Sequence, residues 1–239
     1  MRYELYYWSS IPGRGEFVRL ALEEAGVPWV DVARTKGGEE RMMAILDDAA
    51  IPDRPFAPPF LKAGKRLIGQ TANILLFLGG HHDLAPKSDT GKLWTHQLQL
   101  TLADFLVEVH DTHHPIAGGL YYEEQKREAK RRTADFVANR LPKFLGYFES
   151  VLVANPRGPA TLVGARVTYA DLSLFQMVAG LRYAFPNAMA KSQRRFPNVI
   201  ALQERIAKRP RIAAYLASGR RLPFNQQGIF RHYPELDRV

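Results

Sequence analysis

The chain has 239 residues, 46% hydrophobic and 24% charged, a balance that suits a soluble globular protein of one large domain or two smaller ones. It contains no cysteine, which excludes disulfides, thiolate metal sites and a cysteine nucleophile, so any sulfur chemistry must use a borrowed sulfur. The net charge of +9 arises entirely beyond residue 80, because residues 1–80 balance ten basic against ten acidic side chains. Basic runs such as Lys126, Arg127, Lys130, Arg131 and Arg132 lie in helical sequence and read as solvated helix faces. No zinc-finger spacing or RNA-binding aromatic signature accompanies them, so a nucleic-acid partner is not expected. No apolar run reaches the roughly 18–20 residues of a membrane span. MRYELYYWSS lacks a signal-peptide core, so a cytoplasmic protein without a membrane partner is expected.

Tyr3 to Trp8 alternates with period two and reads as a strand. Ser9 to Gly13 is a turn, and Arg14 to Ala25 is an amphipathic helix closed by Gly26. Trp29 to Ala33 is a second strand, followed by a short helix near Arg41–Leu46 and a proline-dense segment, Ile51 to Phe60. Phe60-Leu61 and Arg66 to Ile68 pair as a hairpin turning on Ala63-Gly64, and Gln70 to Leu78 forms a helix stopped by Gly79-Gly80. This order predicts a small α/β domain over 1–80, with helices packed on a mixed sheet. The turn-rich segment 81–90 is the expected linker. Residues 91–239 are expected to form an all-α domain, with helices near 91–115, 123–153, 168–185, 195–208 and 210–217. The final stretch, carrying Phe224, Phe230 and Tyr233, should pack on the body.

Three segments resemble one family. Tyr3 to Trp8 followed by Gly13-Arg14 and Arg19 resembles the first strand and helix of tyrosine-type cytosolic glutathione transferases of the sigma, mu and pi kind. Pro59, Leu61, Gly64 and Gln70 to Leu75 resemble their cis-proline, hairpin and helix-opening segment. Gly164 with Thr168 to Asp171 resembles their capping motif on a core helix. The resemblance spans essentially the whole chain. It implies a thioredoxin-like first domain, an all-helical second domain, glutathione as co-substrate, no metal, and a homodimer.

It also implies roles. Glutathione conjugation requires a thiolate. A phenol at the end of a strand can hold that anion by a charge-assisted hydrogen bond, and a helix N-terminus can assist. Tyr7, directly before Trp8, takes the position of the family's tyrosine. Tyr6 must face the other way. Ser10 is the alternative donor, because Ser10 to Arg14 resembles the turn of serine-type relatives. Gln70 and Thr71 would hold the γ-glutamyl carboxylate at a helix start. Arg14 is expected either to face the ligand or to be structural, and Arg19 to be structural. Asp104 is expected near the amino group, a place the family's acid sometimes reaches from across the dimer. Pro58 precedes Pro59 and has no N–H to pair with the cysteinyl backbone, unless Pro58 is itself the cis residue.

Trp8, Ile11 and Tyr121 are candidate walls for an apolar electrophile. His110, His113 and His114 read as a satisfied or solvent-facing cluster rather than a metal site. Thr168 to Asp171 is a capping box. A non-catalytic binding or regulatory protein on the same fold, and a glutathione-dependent peroxidase or isomerase, are the alternatives.

Overall fold

The computed structural model describes residues 2–238. Four strands, β1 (Tyr3–Tyr6), β2 (Trp29–Asp31), β3 (Phe60–Ala63) and β4 (Arg66–Gly69), form a mixed sheet in the order β2-β1-β3-β4. β1 runs parallel to β2, with Tyr3 opposite Trp29, and antiparallel to β3, with Leu5 opposite Leu61. Helices α1 (Gly15–Ala25) and α3 (Thr71–His81) cover the face that merges with the main core, while α2 (Gly38–Asp47) covers the other. Alternation along β1 therefore sorts its side chains: Tyr3 and Leu5 face the main core, whereas Tyr6 stacks on Phe60 in a small cluster with Val32 and Met42. Gly26 closes α1 at φ 66°, in the left-handed region expected of a terminal glycine.

The remaining helices are α4 (Asp89–Asp111), α5 (Lys126–Asp135), α6 (Leu141–Ala154), α7 (Tyr169–Ala184), α8 (Pro186–Ser192), α9 (Pro197–Ala207) and α10 (Pro210–Leu216). None is long and apolar enough to cross a membrane among the described residues. α7 is buried on nearly every side and forms the axis of the bundle. Its capping box is closed: Asp171 accepts from the Thr168 N–H and hydroxyl, and from the Leu162 N–H, each at 2.7 Å.

Three expectations change. α3 continues through Gly79-Gly80 to His81 instead of stopping there. Gly79 is in the helix because a Cβ would stand 2.5 Å from the Tyr169 ring, so its missing side chain is what lets α3 approach α7. The single helix expected over 123–153 is interrupted by a wide π turn at Phe136–Arg140, just before Pro142. Proline cannot donate to the helical ladder, and the widened turn absorbs that loss. α8, opened by Pro186, was not foreseen.

The C-terminal segment packs on the body as expected. Phe230 is buried against Gly180, where a Cβ would come within 2.4 Å of its ring. Tyr233 stacks on Tyr122 at 3.8 Å, and the Asp237 carboxylate accepts from the Asn187 and Ala188 N–H groups at the start of α8. Gly180→Ala should therefore lower stability by about 2 kcal/mol through overpacking. Thermal denaturation checks this, and a melting temperature equal to wild type would refute the tight Gly180–Phe230 contact.

Candidate functional site

Tyr7 leaves the sheet just after β1 and lies buried under the entry to α1. The turn is built around its ring. Gly13, at φ 42°, has no room for a side chain, because a Cβ would meet the Tyr7 hydroxyl at 2.1 Å. A Cβ on Gly15 would meet the ring at 2.6 Å. The Tyr7 hydroxyl accepts a hydrogen bond from the Arg14 N–H at 2.9 Å. No acceptor for the hydroxyl's own proton exists among the described residues. Burial pushes the phenol above its ordinary value of 10.0, against the lowering pull of the Arg14 N–H and of the Arg14 and Arg19 charges. The phenol is therefore protonated at neutral pH and fixed through its lone pair, and buried Tyr7 is not itself among the residues lining the cavity beside it.

Arg19 holds this arrangement from below. Its guanidinium lies over the Tyr7 ring at 5.8 Å and donates to the Pro12 carbonyl at 3.1 Å and to Asp31 at 2.8 Å. It also pairs with Glu16 at 3.3 Å, and Glu16 in turn accepts from the Tyr215 hydroxyl at 2.8 Å and pairs with Arg221. Arg19 is structural, as its place in the helix predicted.

Beside this turn, a cavity of about 430 Å³ opens between the start of α3 and one face of α4. Arg14, Gln70, Thr71, His96 and Gln99 supply its polar lining, and Phe17, Leu102 and Leu106 part of its apolar wall. Three of the residues lining this space each carry a buried side-chain atom without a partner: Thr71 Oγ1, His96 Nδ1 and Gln99 Oε1. An unpaired buried polar atom costs about 1–3 kcal/mol, so three around one cavity favour a ligand that pairs them. Helix α3 adds an uncapped N-terminus, since Gln70, at φ 66°, makes no side-chain cap. The cavity thus offers anion-binding N–H groups and an arginine at one end, and acceptors at the other.

His96 and Gln99 were not foreseen. Their signal was available: they interrupt the apolar stripe of Leu98, Leu102, Phe105 and Leu106 on α4. Asp104 lies on the exposed side of α4 and does not line the cavity. Ser10 is exposed, and its carbonyl accepts from Asn225 at 2.9 Å. Trp8 is partly exposed, Ile11 half-buried, and Tyr121 77% exposed, on a separate turn before Tyr122. The cis bond precedes Pro59, so Pro58 offers only its carbonyl. His110, His113 and His114 gather at the end of α4, with ring centroids 4.7 to 5.2 Å apart. No group of three or more His, Cys, Asp or Glu is arranged to hold a metal among the described residues.

Comparison with known proteins finds likenesses over the whole chain. Residues 110–219 match the family model described as glutathione S-transferase, C-terminal domain. The chain is 26% identical over 231 residues to glutathione S-transferase P 1 of Bufo bufo, covering 95% of this chain and 98% of that one. It is 23% identical over 219 residues to a glutathione S-transferase of Plasmodium falciparum, covering 90% and 94%. The pi-class glutathione S-transferase structure of Onchocerca volvulus superposes with a TM-score of 0.70 at 22% identity, over 90% of this chain and 92% of that one.

Proposed function

The chain belongs to the cytosolic glutathione S-transferase superfamily, and on that premise we propose that it conjugates glutathione to apolar electrophiles, with Tyr7 holding the thiolate. The observation that carries the reading is the Tyr7 hydroxyl, which is buried, oriented by the Arg14 N–H, and left with a proton to give. A free thiol has a pKa of about 8.5, and donation from such a phenol favours the anion. The γ-glutamyl end of glutathione carries a carboxylate and an ammonium on one carbon. Its carboxylate suits Thr71, Arg14 and the α3 N-terminus, and its ammonium suits Gln99 Oε1 and His96 Nδ1. Pro58 can pair only one of the two cysteinyl backbone groups, so binding should be weaker than with a donor there.

In this reading residues 1–80 form the glutathione-binding domain, 81–90 the linker, and 91–239 the domain that completes the electrophile site with Trp8 and Ile11. A homodimer in the cytoplasm is part of the proposal. Leu93, Leu100 and Val107 recur every seven residues on α4 with their side chains exposed, and Phe56 is 95% exposed. Leu100 and Val107 also line the cavity beside α3, so Leu93 and Phe56 are the bare apolar groups that suit burial against a second copy.

The test is the ultraviolet thiolate absorbance of bound glutathione, titrated against pH. Wild-type protein should lower the thiol pKa by about two units from its free value near 8.5. Tyr7→Phe should abolish the shift and reduce kcat/KM by about 10- to 100-fold, as expected for losing a charge-assisted hydrogen bond. Ser10→Ala should retain the shift. Glutathione bound with an unshifted thiol would overturn the transferase reading in favour of a binding protein. A shift lost in Ser10→Ala alone would move the role to the serine.

A further inference from the structure

The histidines at the end of α4 form a directed chain. His113 Nε2 lies 2.7 Å from the Ile229 carbonyl. A carbonyl only accepts, so this nitrogen carries the proton. Desolvation holds His113 neutral, down at about 3, which leaves its Nδ1 a bare lone pair. That lone pair meets His114 Nδ1, which must therefore supply the proton between them. The proton of His114 is thus committed inward, and its Nε2 is bare. Desolvation and the Arg231 charge keep His114 neutral too, at about 4, with Asp111 as the opposing acid. His114 Nε2 makes no hydrogen bond among the described residues, and the residue keeps 9% of its surface exposed.

The position of this lone pair matters. The segment that fixes His113 also roofs the thiolate turn: Asn225 donates to the Ser10 carbonyl, and a Cβ on Gly228 would lie 3.9 Å from Pro12. His110 stacks on His114 with centroids 5.1 Å apart, and the Arg14 guanidinium is near enough to disfavour its protonation. The C-terminal segment thus touches both the histidine chain, through Ile229, and the Ser10–Arg14 turn, whose Arg14 N–H holds the Tyr7 hydroxyl.

We propose that His114 Nε2 is a fixed hydrogen-bond acceptor in the electrophile site, selecting acceptor substrates that carry a hydroxyl or N–H donor. His113 is the positioning residue that sets its tautomer, relaying the Ile229 carbonyl through two rings. The inference rests on the transferase reading. It names a chemical class within apolar electrophiles: molecules with one polar hydrogen remote from the reacting carbon.

The experiment compares three enones: benzylideneacetone, its para-hydroxymethyl analogue and its para-methoxymethyl analogue. The last two share an oxygen and differ in the donor. Wild-type protein should favour the hydroxymethyl over the methoxymethyl compound by about fivefold in kcat/KM, the worth of one neutral hydrogen bond. His114→Phe should bring that ratio to unity, and His114→Gln, whose amide oxygen can stand near Nε2, should restore part of it. A ratio of unity in wild type, or one that survives in His114→Phe, overturns the proposal while leaving the transferase intact. No turnover of any enone, with an unshifted glutathione thiol, overturns the transferase reading itself. Imidazole nitrogen-15 shifts of wild-type protein test the relay without any variant. They should show His113 protonated on Nε2 and His114 on Nδ1, and a His114 protonated on Nε2 would overturn it.

Discussion

Replacing Asp171 with alanine is expected to lower folding stability by about 4 kcal/mol and the melting temperature by about 10 °C. The cause is local and countable. The carboxylate is completely buried and accepts from the Leu162 N–H, the Thr168 N–H and the Thr168 hydroxyl. Burial pushes its carboxyl up to about 6, so these donors are what keep it an anion at neutral pH. Alanine leaves two buried backbone donors unpaired, at about 1–3 kcal/mol each, and removes the cap of the central helix as well. Thr168→Ala removes only the hydroxyl and should cost about 1 kcal/mol. Urea unfolding of the three proteins orders them, and an Asp171→Ala midpoint matching Thr168→Ala would show that the carboxylate contributes little.

Acid should unfold the protein from below pH 6.5, and His113 should account for much of it. In the fold His113 is held neutral down to about 3, chiefly because it is buried; in the unfolded chain it protonates at 6.5. The folded pKa is depressed, so this contribution to stability is complete above pH 6.5 and is lost as pH falls toward the folded value. One such group loses up to about 1.4 kcal/mol per pH unit, or about 3 kcal/mol by pH 4. His114, also lowered, acts in the same direction. His113→Gln keeps a donor for the Ile229 carbonyl but cannot titrate. Its unfolding free energy should be flatter than wild type between pH 6.5 and 4. Parallel profiles for the two proteins would place the acid sensitivity elsewhere.

What the sequence disclosed follows from the range of the forces involved. The strand–turn–helix at Tyr3–Ala25, the Gly26 cap and the Thr168–Asp171 box are set by neighbours within a few residues, and each was readable there. The resemblance pointed to Tyr7 and Arg14 in the first of those segments, and to Thr71 in the segment from Pro59 to Leu75. The course of α3 through Gly79 was not readable, because its reason is the ring of Tyr169, ninety residues away. Gln99 and His96 were missed for a similar cause. A polar residue on an apolar helical stripe gains meaning only when the start of α3 faces it. The histidine cluster reads from sequence as satisfied or solvent-facing, but the partner that fixes His113, the Ile229 carbonyl, lies 116 positions along the chain.

The buried charges beneath Tyr7 bear on how the molecule comes apart. Glu16 on α1 is fully buried, yet its partners are Arg19 from the first half of the chain and Tyr215 and Arg221 from the second. Partial loosening that kept Glu16 covered but moved Tyr215 and Arg221 away would leave a buried carboxylate with too few partners. The two halves are therefore expected to unfold together. Sequence divides this chain near residue 85, but energy does not: calorimetry should record one cooperative transition, with calorimetric and van't Hoff enthalpies in agreement.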